Sequence, residues 1–157
     1  MKDNITELYQ QFIANGSEKD LKVLEHILRG LNNKQYTYIN SILQMEGGME
    51  DNTFEIKIPL NALVQNPLDI LHGGITATVI DTAMGALVHS LLPDHLAAVT
   101  TQLNINYIAP GIGDFITCKA KMDHHGSKTM LVSAEVFRSD GKKAAQATGS
   151  FFIIDRG

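Results

Sequence analysis

Apolar residues recur at two different periods along the chain, and the change of period divides it. Ile5, Leu8, Tyr9, Phe12 and Ile13 follow helical spacing until Asn15-Gly16 interrupts them. Ser17 followed by Asp20 at the third helical position predicts a capped helix start. A second helical stripe follows through Leu21, Leu24, Ile27, Leu28 and Leu31. Each stripe needs a surface to bury against, and neither carries polar groups arranged for chemistry. Residues 1–36 are therefore expected to form a helical extension, packed on the main domain or on another subunit.

From residue 37 onward the spacing shortens to two. Tyr38 to Met45 reads as a weak strand ending at Gly47-Gly48. Phe54, Ile56, Ile58 and Leu60 alternate with Glu55, Lys57 and Pro59, the pattern of a half-buried strand. Val99, Thr101, Leu103, Ile105 and Tyr107 alternate with Thr100, Gln102, Asn104 and Asn106, and Ile116, Cys118, Ala120 and Met122 do so with Thr117, Lys119 and Lys121. Two more strands, near 129–138 and 143–154, flank the hairpin signal Asp140-Gly141. One segment breaks the rhythm. Ile75 to Leu91 places Ile75, Val79, Ala83, Leu87 and Leu91 on one helical face and Ile80, Met84 and Val88 on another. A helix apolar around most of its girth belongs inside a fold. Residues 37–157 thus predict an α+β domain, an antiparallel sheet wrapped around one central buried helix.

Composition narrows the function classes. The 157 residues are 44% hydrophobic and 19% charged, ordinary values for one globular domain with a short appendage. The formal charge of −4, without any basic run, leaves no footprint for nucleic acid or an anionic membrane. MKDNITELYQ lacks the apolar core of a signal peptide, and the most apolar stretch carries Asp81 and His89, which argues against a membrane span. A single cysteine suits a reducing compartment, and a cytoplasmic location is expected. Cys118 falls on the apolar face of its strand, so it reads as a core thiol. The histidines show no paired ligand spacing, and no metal is expected.

Asp81 does not fit a purely structural account. It is the only carboxylate of the apolar helix, and no lysine or arginine occurs between Lys57 and Lys119 to pair with it. An unpartnered buried carboxylate is costly, so Asp81 is paired, protonated, facing a cavity, or on a narrow solvent stripe. Just ahead of the helix runs Asn66-Pro67-Leu68-Asp69-Ile70-Leu71-His72-Gly73-Gly74. Gly73 and Gly74 at a helix start allow close approach of a ligand to backbone N–H groups that favour negative charge. That is an oxyanion hole in outline, although the same residues also make a tight turn. The chain has no G-x-S-x-G nucleophile elbow.

Asn66, then His72-Gly73-Gly74, then Asp81 in LHGGITATVIDTAMGAL, followed by VTTQLNINYIAP with Asn104, Tyr107 and Pro110, resembles the PaaI-like hotdog-fold acyl-CoA thioesterases. The resemblance covers residues 38–155 and omits the N-terminal helices. It implies Asp81 as the general base or nucleophile and Gly73 N–H as the donor that polarises the thioester carbonyl. It further implies that Asn66 orients thioester or water, that His72 shapes the loop, and that Thr100 positions the water. One turn past the acid, where some members carry serine, this chain has Gly85. Candidate substrate contacts are Gly74, Tyr107, Pro110 and the segment His124, His125, Gly126, Ser127, Lys128 and Thr129. The last six would meet the phosphates of coenzyme A, or form a plain solvated turn between strands. Met84, Leu87 and Val88 are expected to line the acyl pocket.

The resemblance also implies a site at a dimer interface, with Asn66, His72 and Gly73 from one subunit and Asp81 and Thr100 from the other. A homodimer is then the minimum assembly, and a tetramer of paired dimers is the family habit. The expected partner is acyl-CoA, with no cofactor beyond the coenzyme A of the substrate. The rival reading is a hotdog module that senses acyl-CoA without hydrolysing it. A thioester suits one carboxylate and one oxyanion donor, because its carbonyl is electrophilic and its thiolate leaves well. Desolvation in the apolar helix would strengthen Asp81 as a base.

Overall fold

The computed structural model describes residues 1–34 and 37–156, so the expected end of the helical extension at residue 36 and the final Gly157 lie outside the described residues. Helix α1 (Lys2–Asn15) stops at Gly16, and α2 (Glu18–Asn32) starts from a reciprocal cap. Ser17 Oγ accepts the Asp20 N–H at 3.3 Å, while the Asp20 carboxylate accepts the Ser17 N–H at 3.0 Å. The Ser17 hydroxyl, which donates to the Asp20 carboxylate at 2.6 Å, and the Ser17 N–H hold that carboxyl below its ordinary range.

The two apolar stripes meet different fates. Helix α2 packs on the short α3 (Tyr38–Ile42), pinned by His26, whose Nε2 donates to the Ile42 carbonyl at 2.9 Å. Helix α1 has no buried residue, and Ile5, Leu8, Tyr9, Phe12 and Ile13 stay exposed. The expectation that it packs on the main domain fails within one chain, because no facing surface reaches it. Tyr38 to Met45 is likewise not a strand. Thr37 Oγ1 caps the Asn40 N–H at 3.2 Å and starts α3, and the chain leaves α3 through Gln44 at φ 48°. Leu43 and Met45 are buried at this exit, so their apolar spacing reflects a helical turn wedged under α2.

Six strands form one antiparallel sheet: β1 (Glu46–Glu50), β2 (Thr53–Pro59), β3 (Leu96–Tyr107), β4 (Phe115–His125), β5 (Thr129–Arg138) and β6 (Lys143–Asp155). Their spatial order is β1-β2-β4-β5-β6-β3, which leaves β3 as a twelve-residue edge. The β5–β6 hairpin turns at Asp140-Gly141, with Gly141 at φ 81°, a conformation that glycine adopts without strain. Helix α4 (Gly73–Ser90) lies across one face of the sheet, packed on β2, β3, β4, β5 and β6. Val79, Ile80, Ala83, Met84, Leu87 and Val88 are buried against Ile58, Ile116, Val132, Val136 and Phe151. Cys118 sits in this core, and burial pushes its thiol up to about 12. Among the described residues, no helix is long and apolar enough to cross a membrane.

One strand departs from simple alternation. Thr100 pairs with Phe151 and Gln102 with Ser150, so Thr101 is an extra residue in β3. This bulge reverses the alternation on either side of it. Leu103 and Ile105 face the helix after the bulge, and Ala98 and Thr100 face it before.

Candidate active site

The N-terminus of α4 is built by its own loop. Asn66 Oδ1 accepts the Leu68 N–H at 2.9 Å and the Ile70 N–H at 3.4 Å, folding the residues ahead of the helix into an Asx turn. Asp69 within that turn has φ 55°. With its oxygen committed to backbone donors, Asn66 has its amide nitrogen left for a ligand. His72 is the N-cap of α4, and its Nδ1 accepts the Gly74 N–H at 2.9 Å. Tyr107 donates its hydroxyl to the Gly73 carbonyl at 2.9 Å. The Gly73–Gly74 peptide is thus held at both ends, by Tyr107 at its oxygen and His72 at its nitrogen. The N–H of Gly73 itself has no acceptor among the described residues, in the position where a helix start favours an anion. Asn66, Gly73, Tyr107 and Pro110 line one cavity of about 330 Å³ together with Ala144 and Ala145.

Asp81 stands elsewhere. It lies eight residues along α4 from Gly73, a rise of about 12 Å. The helix is not enclosed on all sides as its composition predicts: Asp81, Thr82, Gly85 and Ala86 are only half-buried. They line a groove of about 1080 Å³ whose other walls include Met45, Phe54, Ile56, Ala98, Thr100 and Phe151. Thr100 Oγ1 donates to Asp81 Oδ1 at 2.8 Å, so the carboxylate is paired with a hydroxyl, and it makes no ion pair among the described residues. The bulge at Thr101 turns Thr100 toward the helix. Met84, Leu87 and Val88, expected in the pocket lining, are instead wholly buried beneath α4. Phe151 and Met45 take that place, and no local motif marks them.

The structure therefore separates the candidate residues into two groups. Asn66, His72, Gly73, Gly74, Tyr107 and Pro110 gather at one end of α4, and Asp81 and Thr100 lie on the groove further along it. The remaining segment lies at the end of the sheet that holds Thr100. His124 and His125 are not in a turn but end β4, paired with Leu131 and Met130. A bulge at Asp123 precedes them. Gly126, Ser127 and Lys128 make the turn, closed by Gly126 N–H donating to the Thr129 carbonyl at 2.9 Å. Thr100, Phe151, Met130 and His125 form one row across four strands, so this turn is about 14 Å from Thr100. Among the described residues, no group of three or more His, Cys, Asp or Glu is placed to hold a metal ion.

The chain is similar to several known proteins. The family model described as the thioesterase superfamily matches residues 68–145. Similar proteins include SSO2140 of Saccharolobus solfataricus, described as a proposed esterase, which is 32% identical over 99 residues, 63% of this chain and 70% of that protein. The medium/long-chain acyl-CoA thioesterase YigI of Escherichia coli is 26% identical over 126 residues, 68% of this chain and 81% of its own. Among solved structures, the BH2602 protein of Bacillus halodurans with CoA has a TM-score of 0.88 and 38% identity, covering 95% of this chain and 99% of that one.

Proposed function

The chain belongs to the thioesterase superfamily and is a thioester hydrolase, and from that premise we propose that it cleaves acyl-CoA at a site shared between two copies. The observation that carries the proposal is the separation of the candidate groups along α4. A carbonyl polarised by Gly73 N–H must lie about 3 Å from that donor. The same carbonyl is then out of reach of Asp81 in the same chain, about 12 Å further along the helix. A second copy resolves this. Strand β3 is an unpaired edge, and long exposed edges are templates for pairing. Antiparallel pairing about a two-fold axis exchanges the ends of the strand, bringing Thr100 of one copy toward Tyr107 of the other.

In this reading the thioester carbonyl rests on Gly73 N–H, with the Asn66 amide beside it. In the other copy, Thr100 fixes Asp81 of its own chain through Oδ1, which leaves Oδ2 to take a proton from water. The water oxygen bonds to the carbonyl carbon, and negative charge collects on the oxygen held by Gly73. The C–S bond then breaks, the thiolate of coenzyme A leaves and is protonated, and a carboxylic acid remains. Water is the sole co-reactant. BH2602 solved with CoA and YigI as an acyl-CoA thioesterase both support acyl-CoA as the substrate class.

The test is Asp81→Asn, which keeps the size of the side chain and removes the base. Purified variant of unchanged fold and assembly should lose roughly 10²–10⁴-fold in kcat, the range for a positioned acid or base. Turnover near wild type would overturn the assignment of Asp81.

A further inference from the structure

Gly85 occupies a place in α4 that backbone geometry and packing leave unexplained. Glycine inside a helix is less stable than alanine there, because it surrenders more conformational freedom on folding. Its backbone is ordinary helix, outside the left-handed region where Gly47, Gly113 and Gly141 lie. Neighbouring atoms do not demand it either. A Cβ on Gly30 would strike the Ser41 carbonyl at 2.0 Å, and one on Gly149 would meet Met84 Sδ at 2.8 Å. A Cβ on Gly85 would meet nothing nearer than Phe151 Cε1, at 3.9 Å. Within the chain the missing side chain does one thing: it leaves space above Phe151 in the groove that holds Asp81.

That space lies on a path. Asp81, Gly85 and His89 recur every four residues and line the same groove, over a rise of about 12 Å. The lining carries the apolar side chains Met45, Phe54, Ile56 and Phe151, with Phe151 next to Gly85, and the polar Glu46, Asp94 and Arg156. His89 is held by donating from Nδ1 to the Gly85 carbonyl at 2.7 Å. An acyl chain whose carbonyl sits at Asp81 meets Gly85 one turn out and the polar His89 two turns out. Resting on the acyl-CoA reading above, we infer that Gly85 is the specificity-determining residue that admits acyl chains beyond the first turn. The groove then selects acyl groups of medium length: shorter ones leave apolar lining uncovered, and longer ones desolvate His89.

The experiment measures kcat/KM of wild type, Gly85→Ala and Gly85→Leu for acetyl-, octanoyl- and palmitoyl-CoA, following released thiol, with a thermal melt of each protein. Wild type should prefer octanoyl-CoA. Gly85→Leu should lower its octanoyl-to-acetyl ratio by roughly tenfold or more, the scale for filling an apolar pocket. Gly85→Ala should shift the ratio in the same direction by less while raising the melting temperature, so a misfolded leucine variant does not spoil the test. Unchanged ratios in both variants, with wild type active on octanoyl-CoA, would overturn the role of Gly85 alone. No hydrolysis of any of the three by wild type would overturn the acyl-CoA reading and this inference together.

Discussion

Thr100 reaches Asp81 because β3 carries one residue too many. The Thr100 hydroxyl donates to Asp81 Oδ1 at 2.8 Å, and the bulge at Thr101 lets Thr100 face α4 on the same side as Leu103. Strict alternation would send Thr100 outward with Gln102 and Asn104, leaving the carboxylate without this donor. Bulges re-aim side chains in this way beside functional sites.

Thr100→Val tests that relationship, since valine keeps the β-branched shape and removes only the donor. The carboxylate loses its fixed orientation but remains present. We expect kcat to fall by about 10–100-fold, the scale for a misplaced catalytic group, with KM little changed. Wild-type kcat in this variant would show that the hydrogen bond has no part in the reaction.

Lys128 tests recognition of the carrier. It lies exposed in the β4–β5 turn and makes no ion pair among the described residues. Exposed contacts to phosphate are screened by salt and act alike on ground and transition states. Lys128→Ala should raise KM for acyl-CoA severalfold at low salt and leave kcat nearly unchanged. The difference should fade at high salt and vanish for a truncated thioester without the nucleotide. An equal rise in KM with the truncated substrate would place Lys128 outside phosphate recognition.

Cys118 offers a check on the core. With its thiol pushed up to about 12 by burial, almost no thiolate exists at neutral pH, and thiolate is the reactive form. The folded protein should resist iodoacetamide at pH 7.5 and react at one site after unfolding in guanidinium, as read by intact mass. Rapid labelling of the folded protein would contradict the packing of β4 against α4.

What the sequence reveals here is what is local. The cap at Ser17 and Asp20, the Asp140-Gly141 hairpin and the alternation of Phe54, Ile56 and Ile58 are set by residues a few positions apart. The motif from Asn66 to Asp81 is local for the same reason. What the sequence conceals depends on distant partners. The bulge at Thr101 shows only when β3 pairs with β6, and α3 forms because α2 lies over it. The walls of the groove come from α3, α4, β1, β2, β3 and β6 together, so Phe151 carries no signal of its own, and Met84, Leu87 and Val88 resemble pocket residues while serving as core. Gly85 looks like an absent serine until the space above Phe151 gives the absence a use.

The central claim, one reaction centre assembled from two chains, meets its most direct test in a mixture of two inactive variants. Asp81→Asn removes the base from one half-site. Asn66→Asp keeps the oxygen that folds the Asx turn but replaces the amide donor of the other half-site with a negative charge. Each variant alone should be nearly inactive. Co-refolded in equal amounts, they should form about one-half mixed dimers, each with one centre built from two intact halves, and activity should recover to roughly a quarter of the wild-type value. Activity in the mixture no greater than the mean of the two variants measured apart would contradict a shared site.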